Sequence, residues 1–334
     1  MNVNSHDRGN DVPERHRAET SPDDLARPLV NQTHERLHAT MELDEDSALL
    51  AKTIQEDSEM QRTKLEMIAI PSDDEKSFST WMQKYTTIFT DPWDMEDEET
   101  MKARWKGGTA LLYMIEGSME TENREIKRQI GIRLVYVNKS VPDAIYVPYE
   151  GIEKNFRGLQ CHTRATQHSA KELTAKGYSI ILNDCEDEER LEQFRDSYEG
   201  LSDNEIQQLC KRRLKIHMRN GYEFIDDPNM KYLRPASDDT QKVQAYDLLG
   251  FNIIAHPERY ARYFLTDDDG RRTYITKAGF KALYIALQAL DQCSEPEERS
   301  LREKFPAIDK FLTDLENSPK NEFPLYKDTV VDKK

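Results

Sequence analysis

The chain has 334 residues, of which 37% are hydrophobic and 33% charged, and its formal net charge at pH 7 is −16. This acidic balance argues against a protein that mainly binds nucleic acid, because affinity for phosphates comes chiefly from clustered Lys and Arg. The sequence has neither a secretory pattern at its start nor an apolar run of the roughly 18 residues that span a bilayer, so we expect a cytoplasmic protein with no membrane contact.

The first 60 residues are rich in Asp, Glu, Arg, Asn, Ser and Thr and contain few aromatic or β-branched residues. Such a composition buries little apolar surface, so it predicts a disordered acidic tail over 1–60. A short helix around Asp44 to Met60 is the one interruption that the spacing of apolar residues indicates. The alternative is a docking or export segment, and a long acidic head would also suit a translocated bacterial effector.

Ordered structure is expected from Thr63 onward, beginning with a strand over Lys64 to Ile70. A capping box at Ser72 and Glu75 starts a helix. Its apolar residues recur every three or four positions, which predicts a face that packs on a core: Phe78, Trp81, Met82, Tyr85 and Ile88. An acidic helix from about Met95 to Trp105 and a strand over Thr109 to Ile115 follow.

The middle of the chain predicts strands that are neighbours in a sheet. Gln129 to Asn138 and Asp143 to Ile152 are β-rich runs joined by a short turn. A helix from about Gly158 to Lys176 and an apolar strand over Tyr178 to Asn183 come next. The order strand, helix, strand implies one parallel crossover within an otherwise antiparallel sheet.

Two further helices are predicted over Glu186 to Tyr198 and Ser202 to Arg219, the second with a capping box of its own. Short strands follow at Tyr222 to Ile225, Lys231 to Leu233 and Ala245 to Ile254. The fold class is therefore α+β, a mixed and mostly antiparallel central sheet flanked by helices.

The region 256–334 is predicted to be a helical extension, with helices over Thr276 to Gln292 and from about Pro296 to Glu316. Its first helix carries an apolar stripe: Phe280, Leu283, Tyr284, Leu287 and Leu290. This stripe either packs on the sheet or buries a partner helix, and both interpretations stay open at this point.

The segment 146–254 resembles the GNAT superfamily of N-acetyltransferases, and the resemblance extends more faintly back to Thr63. Phe156-Arg157-Gly158 is similar to the family's turn between the central strand and the long helix. The block from Arg213 to Tyr222 is similar to the family's late motif, in which a helix ends at an aromatic residue after Gly. These motifs are weak one by one but occur in the family's order, so they imply a GNAT-like domain over 63–255.

The resemblance implies acyl transfer from acetyl-CoA or another acyl-CoA to an amine of a small molecule or protein. In the family, backbone N–H groups at the start of the long helix bind the pyrophosphate, and glycines let the backbone approach it closely. Two of those glycine positions are Gln160 and His162 here. Their side chains either point away while the amides still bind phosphate, or they fill the pyrophosphate space. The implied cofactor-binding residues are Gly151, Ile152, Arg157, Gly158, Leu159, Gln160, Cys161, His162, Thr163 and Asn183.

The catalytic roles implied by the resemblance fall on three residues. Glu150, near the end of the central strand, is the expected base for an ammonium substrate, with Glu153 as second choice. His217 occupies the position of the family's Tyr acid, and Tyr222 is a neighbouring candidate. The alternative for Glu150 and Glu153 is that each is a solvated carboxylate. The alternative for Tyr222 is that it is an aromatic ring of the core. Lys211-Arg212-Arg213 is a basic cluster that would meet the adenosine phosphates or simply end a helix.

Two functions are consistent with these residues, and they differ in whether the protein binds CoA. One is an acyl-CoA-dependent N-acyltransferase; the other is a catalytically inactive GNAT-fold binding or scaffold protein that no longer binds CoA. A protein partner would contact the tail or the C-terminal helices. No metal is expected, because the sequence has no HExxH motif and its four cysteines form no CxxC pair.

Overall fold

A computed structural model describes residues 44–56, 62–89, 96–157, 161–186, 200–235, 243–292 and 297–326. Its main feature is an eight-stranded sheet in the order β1-β2-β3-β4-β5-β8-β6, with β7 paired to β8. The strands are β1 Thr63–Ala69, β2 Ala110–Glu120, β3 Glu125–Val137, β4 Ala144–Ile152, β5 Ile180–Cys185, β6 Glu223–Phe224, β7 Tyr232–Pro235 and β8 Val243–Ile253. Only β4 and β5 run parallel, which confirms the predicted fold class.

The helices of the described residues cover both faces of this sheet. They are α1 Glu45–Glu56, α2 Glu75–Ile88, α3 Glu98–Lys106, α4 Cys161–Ala175, α5 Asp203–Arg219, α6 Lys277–Asp291, α7 Glu298–Lys304 and α8 Pro306–Asn317. Helices α2, α3 and α6 pack on one face, and α1, α4 and α5 on the other. The predicted helix over Glu186 to Tyr198 lies outside the described residues, apart from Glu186.

The folded unit begins earlier than Thr63. Leu50 and Ile54 of α1 are 0% and 2% exposed. Leu50 reaches the sheet because Gly117 on β2 has no side chain; a Cβ built there would lie 3.3 Å from Leu50 Cδ2. The helix expected around Asp44 to Met60 is therefore present as α1, and it packs on the sheet although it precedes the predicted tail boundary at residue 60. Residues 1–43 lie outside the described part, so the rest of the tail stays a prediction.

The C-terminal region packs on the sheet. All five stripe residues of α6 are at most 4% exposed, so its apolar face is filled by the sheet and by α8, and a partner helix is not needed. The region is also not purely helical. It adds a second sheet in the order β11-β10-β9, made of β9 Phe264–Thr266, β10 Arg272–Thr276 and β11 Glu322–Pro324.

This second sheet is joined to the main one. The main chain of β6 and its continuation exchanges hydrogen bonds with β11 and its continuation, from Asp226 N to Pro324 O (2.9 Å) and from Tyr326 N to Phe224 O (2.8 Å). Ile225 and Leu325 form a bridge between these two bonds. The expected boundary at residue 255 therefore separates segments of the chain that share one core.

Candidate functional site

Strands β4 and β5 separate after three residue pairs, the last of which is Tyr146 with Leu182. The separation coincides with a bulge in β4, because Tyr146 and Tyr149 pair with Tyr136 and Leu134 of β3. Between these pairs β4 therefore has one residue more than β3, and such a bulge bends its strand. We call the space between 147–152 of β4 and 183–185 of β5 the β4–β5 gap.

The main chain of β4 is accessible along this gap. The side chain of Glu150 is only 5% exposed, yet the residue as a whole is not buried, so its accessible part is backbone. Pro148 and Tyr149 are partly exposed as whole residues. Near Glu150, strand β4 thus has accessible main chain at its edge, as an unpaired strand edge does.

Asn183 crosses the gap. Its Nδ2 donates a hydrogen bond to the carbonyl oxygen of Val147 at 3.1 Å, which replaces the next rung of the parallel pair. Asn183 is 6% exposed, and its Oδ1 is buried with no hydrogen-bond partner among the described residues. A buried acceptor without a donor is costly, so this atom is a place where a ligand or water would be stabilised.

Glu150 lies on the α4 side of the sheet and forms an ion pair with Arg133, its cross-strand partner on β3. Arg133 Nε lies 2.7 Å from Glu150 Oε2, and the side chains are 1% and 5% exposed. Arg133 also donates to Ser169 of α4, and Thr166 donates to Glu150 Oε1 at 3.2 Å. The carboxylate is therefore held in place by two elements.

Burial raises the pKa of Glu150, but Arg133, His162 and His217 lower it more, so the net shift is downward. A carboxylate with a lowered pKa is charged at neutral pH and is a weak proton acceptor. Glu150, the expected base, is therefore mainly a fixed negative charge at neutral pH.

His162 lies in the first turn of α4 and its side chain points into the protein. Its Nε2 is 3.4 Å from Glu150 Oε1, and its Nδ1 is 2.9 Å from Nδ2 of Asn220, the residue that ends α5. The His162 side chain therefore packs beneath the start of α4 against Glu150 and Asn220. Gln160, like Gly158 and Leu159, lies outside the described residues.

His217 and Tyr222 complete the group. The ring of His217 lies 5.8 Å from that of His162 and 5.5 Å from that of Tyr222, both edge-on. Burial, followed by the nearby His162, lowers the pKa of His217 to about 4. Burial raises the pKa of Tyr222 to about 12. At neutral pH the imidazole is therefore uncharged and the phenol keeps its proton.

We call these seven side chains the polar cluster: Arg133, Glu150, His162, Thr166, His217, Asn220 and Tyr222. The three predicted catalytic residues and His162 meet there. Arg133, Thr166 and Asn220 were not predicted. The sequence did contain a sign of the buried ion pair. Arg133 lies between Ile132 and Leu134 in an apolar strand, where a charge needs a buried partner.

Two arginines, Arg157 just before α4 and Arg213 on α5, influence each other electrostatically. Arg157 Nε donates to the carbonyl oxygen of Ile152 at 2.9 Å. Partial burial and then the charge of Arg213 lower the pKa of Arg157, so the two guanidinium groups lie close enough to repel each other. Arg213 pairs with Glu186, whereas Arg157 forms no ion pair within the described residues. An anion between them would relieve the repulsion.

The other predicted cofactor-binding residues that the structure describes lie outside the polar cluster. Gly151 has no room for a side chain, because a Cβ would lie 2.3 Å from Ile88 Cγ2 of α2. Ile152 is buried, and burial raises the pKa of the Cys161 thiol to about 11, which makes it unreactive. Thr163 is partly exposed in the first turn of α4.

Neither a metal site nor a membrane helix is found in the ranges described above. There, no three His, Cys, Asp or Glu side chains are grouped so that they could hold a metal ion. No helix in that part of the chain is both long and apolar enough to cross a bilayer.

No protein-family model matches the sequence, and no curated protein matches it either. Solved structures do match. Aminoglycoside 6'-N-acetyltransferase complexed with coenzyme A is 12% identical with a TM-score of 0.36, over 57% of this chain and 98% of that one. IAA acetyltransferase from Bacillus cereus is 10% identical with a TM-score of 0.31, over 57% and 99%. Ribosomal-protein-S18-alanine N-acetyltransferase from Escherichia coli is 8% identical with a TM-score of 0.34, over 58% and 96%.

The fold assignment rests on the strand order and register of this chain, since all three TM-scores lie below 0.5. An antiparallel run from β1 to β4 leads through α4 to the parallel strand β5, and β4 and β5 then diverge at a bulge. This strand arrangement is the one expected from the GNAT-like resemblance of the sequence motifs.

Proposed function

We propose that this protein is an N-acyltransferase that transfers an acetyl or other acyl group from acyl-CoA to an amine of a small molecule or protein. The observation that carries the proposal is the β4–β5 gap, which has accessible main chain on one side and the polar cluster beneath it. Perturbed pKa values that cluster beside a gap are typical of functional sites.

The residues around the gap suit an extended, amide-containing molecule such as the pantetheine arm of CoA. Its amide N–H groups can donate to the accessible carbonyls of β4 and to Oδ1 of Asn183, which has no donor among the described residues. Its phosphates can lie near Arg157 and Arg213 at the start of α4, where the helix dipole also favours negative charge. Acyl-CoA supplies an activated thioester carbonyl.

The transfer exchanges a C–S bond for a C–N bond and removes two protons from an alkylammonium, one of which ends on the released thiol. Tyr222 is protonated at neutral pH because burial raises its pKa to about 12, so of the two it is the side chain that has a proton to give to the departing thiolate. His217 is uncharged at neutral pH because its pKa is lowered to about 4, so it has a ring nitrogen open to a proton but, like Glu150, it is a weak base in this environment. Glu150 then stabilises the positive charge on His217 after it has accepted a proton. The resemblance implies Glu150 as the base and His217 as the acid, so these roles differ from that expectation.

The inactive binding or scaffold protein is the second candidate, and specific observations favour it. Arg133 already neutralises Glu150, His162 fills space at a glycine position, and Asn183 bridges the gap. If these contacts persist, CoA has no room, and the fold would serve as a rigid surface.

Binding of acetyl-CoA, measured by titration calorimetry, tests the proposal. Wild type should bind, and Arg157→Ala should bind roughly tenfold more weakly or worse because it loses a charge-assisted contact. Arg299→Ala, at a well-exposed arginine of α7, is the matched control and should not change the affinity. Release of free thiol with a panel of amines then tests the transfer.

The outcome also separates the two candidates. No binding by wild type, together with binding gained in His162→Gly, would mean a closed site and would support the inactive binding protein. No binding by either protein would contradict the proposed cofactor altogether.

A further inference from the structure

Helix α5 carries a row of basic side chains on its outer side. Arg212, Lys215 and Arg219 are spaced by three and four residues, so they lie on one face of the helix, and all three are exposed. The buried residues Ile206, Cys210 and Leu214 lie on the opposite face. We call Arg212, Lys215 and Arg219 the basic stripe.

The basic stripe is not neutralised within the described residues, where none of its three members has a carboxylate partner. No Asp or Glu occurs between Lys211 and Arg219. This is unusual in a chain with a net charge of −16. A concentrated patch of one sign on a protein of the other sign attracts a partner of matching charge and directs its approach.

The stripe also ends at the proposed donor site. Arg219 is the last residue of α5, and the next residue, Asn220, contacts His162 in the first turn of α4 at 2.9 Å. Arg213, on the flank of the same helix, lies close enough to Arg157 to lower its pKa. A partner bound along the stripe would therefore reach the start of α4 and the β4–β5 gap.

A CoA donor would bring three phosphates to the region before α4, because CoA carries a pyrophosphate and a further phosphate. The resemblance implies that the glycine positions which allow close approach of a pyrophosphate fall on Gln160 and His162 in this sequence. The His162 side chain is turned inward against Glu150 and Asn220. A pantetheine arm attached to a protein has a single phosphodiester, for which the pair Arg157 and Arg213 is sufficient.

We propose that the preferred acyl donor is a thioester on the pantetheine arm of an acidic carrier protein, which docks on the basic stripe and inserts its arm into the β4–β5 gap. This inference rests on the proposed acyl transfer and changes only the source of the donor. The thioester C–S bond breaks, the C–N bond of the amide forms, and the carrier regains a free thiol. No oxidant or reductant is required.

The experiment compares three donors with the same acyl group: acetyl-CoA, acetyl-phosphopantetheine and an acetylated bacterial acyl carrier protein. Binding to the full chain is measured at low and at high salt. The test variant is Arg212→Glu/Lys215→Glu/Arg219→Glu. The control is Lys64→Glu/Lys76→Glu/Lys139→Glu, three exposed lysines outside α5 with the same total change of charge. Circular dichroism checks that both triple variants are folded.

The carrier protein should bind roughly tenfold or more tightly than acetyl-CoA at low salt, and this advantage should shrink at high salt. The stripe variant should weaken carrier binding by roughly a hundredfold, which is about 3 kcal/mol. Its affinity for acetyl-phosphopantetheine should stay within about twofold of wild type, because that molecule does not touch the stripe. The control variant should bind all three donors like wild type.

Two results would overturn the inference and leave acyl transfer standing. One is an affinity for acetyl-CoA equal to or higher than that for the carrier; the other is carrier binding that is equally reduced in the stripe and control variants. Failure of all three donors to bind, acetyl-phosphopantetheine included, would instead refute the proposed function itself.

Discussion

The two faces of the central sheet are built from alternate residues of the same strands, yet they differ in kind. On the face of α2, α3 and α6 the core is aromatic and closely packed, with Phe78 stacked on Trp105 at 4.6 Å and Trp81 on Tyr85 at 5.1 Å between ring centroids. On the face of α1, α4 and α5 an apolar core surrounds buried charges, Arg133 among them.

Their buried polar groups differ as well. On the first face the indoles of Trp81 and Trp105 both donate to backbone carbonyl oxygens, although the hydroxyl of Tyr136 and Oε1 of Gln288 are buried without a partner among the described residues.

On the other face, Nδ1 of His217 and Oδ1 of Asn183 are buried in the same way beside the ion pair of Arg133 with Glu150. Perturbed titratable groups are typical of functional sites, so the second face is where we place the proposed binding site. The comparison can be tested by disturbing each face separately.

The largest effect is expected from removing 277–334, which deletes α6 to α8 and β11. Five stripe residues of α6 cover the aromatic face, and without them that face is open to water. Loss of several large side chains, each contributing about 2–5 kcal/mol, exceeds the total stability of a typical domain. We expect no cooperative thermal transition by circular dichroism. A cooperative transition in the truncated protein would show that the aromatic face is stable alone.

Arg133→Met should cost about 3–5 kcal/mol in the free energy of unfolding, because Glu150 then remains as a buried charge without a partner. The double variant Arg133→Met/Glu150→Leu should recover most of the loss, since an apolar pair of similar volume removes both desolvation costs. Urea denaturation measures both. Arg124→Met, at an exposed arginine, serves as the control. A double variant as unstable as Arg133→Met would mean that loss of the ion pair does not cause the destabilisation.

Low pH should lower the free energy of unfolding through His217 of the polar cluster. Its pKa is lowered from 6.5 to about 4 by burial and by His162, so the unfolded chain binds a proton that the folded chain rejects. The free energy of unfolding should be unaffected by this group above pH 6.5 and fall by about 3 kcal/mol as the pH drops from 6.5 to 4.

The matched control for the acid effect is His217→Gln, which should abolish this part of the pH dependence. Glu150 does not interfere in the part of that window above pH 4.5. Its pKa is lowered from 4.5, so its contribution is complete above pH 4.5 and is lost only below that value. An unchanged slope between pH 6.5 and 4 in His217→Gln would assign the acid sensitivity to other groups.

The smallest expected effect is that of Asn183→Ala, about 1 kcal/mol, because one hydrogen bond across the gap is lost while one unpaired acceptor disappears with it. Chemical denaturation resolves this difference when Gln167→Ala, at an exposed position of α4, is measured in parallel. A loss above about 3 kcal/mol would mean that Asn183 holds the two strands together and is not a removable bridge.

The sequence predicted the layout of the main sheet well because its strands are long apolar runs separated by clear turns. Helix α1 was placed in the tail because only Leu50 and Ile54 of its 12 residues are large buried hydrophobics. The C-terminal strands β9 and β11 were missed for a related reason. Three residues are too few to show an alternating pattern, and pairing across distant segments of the chain forms them.

The site was predicted in part. The resemblance named Glu150, His217 and Tyr222 as catalytic candidates, and the structure brings these three side chains together. The partners that decide their chemistry were not predicted, since Arg133 and Thr166 are distant in the sequence and meet Glu150 only through the register of β3 with β4 and the packing of α4. Protonation preferences depend on such contacts and on burial, neither of which periodicity shows.

The bonds between β6 and β11 set a condition on how the chain is made. Phe224 to Asp226 find their strand partners about 100 residues later, at Pro324 to Tyr326. During synthesis, that edge of the sheet stays unpaired until the C-terminal segment has left the ribosome, and exposed strand edges are prone to pair with other chains. A chaperone acting on the nascent chain would therefore be needed most in this interval.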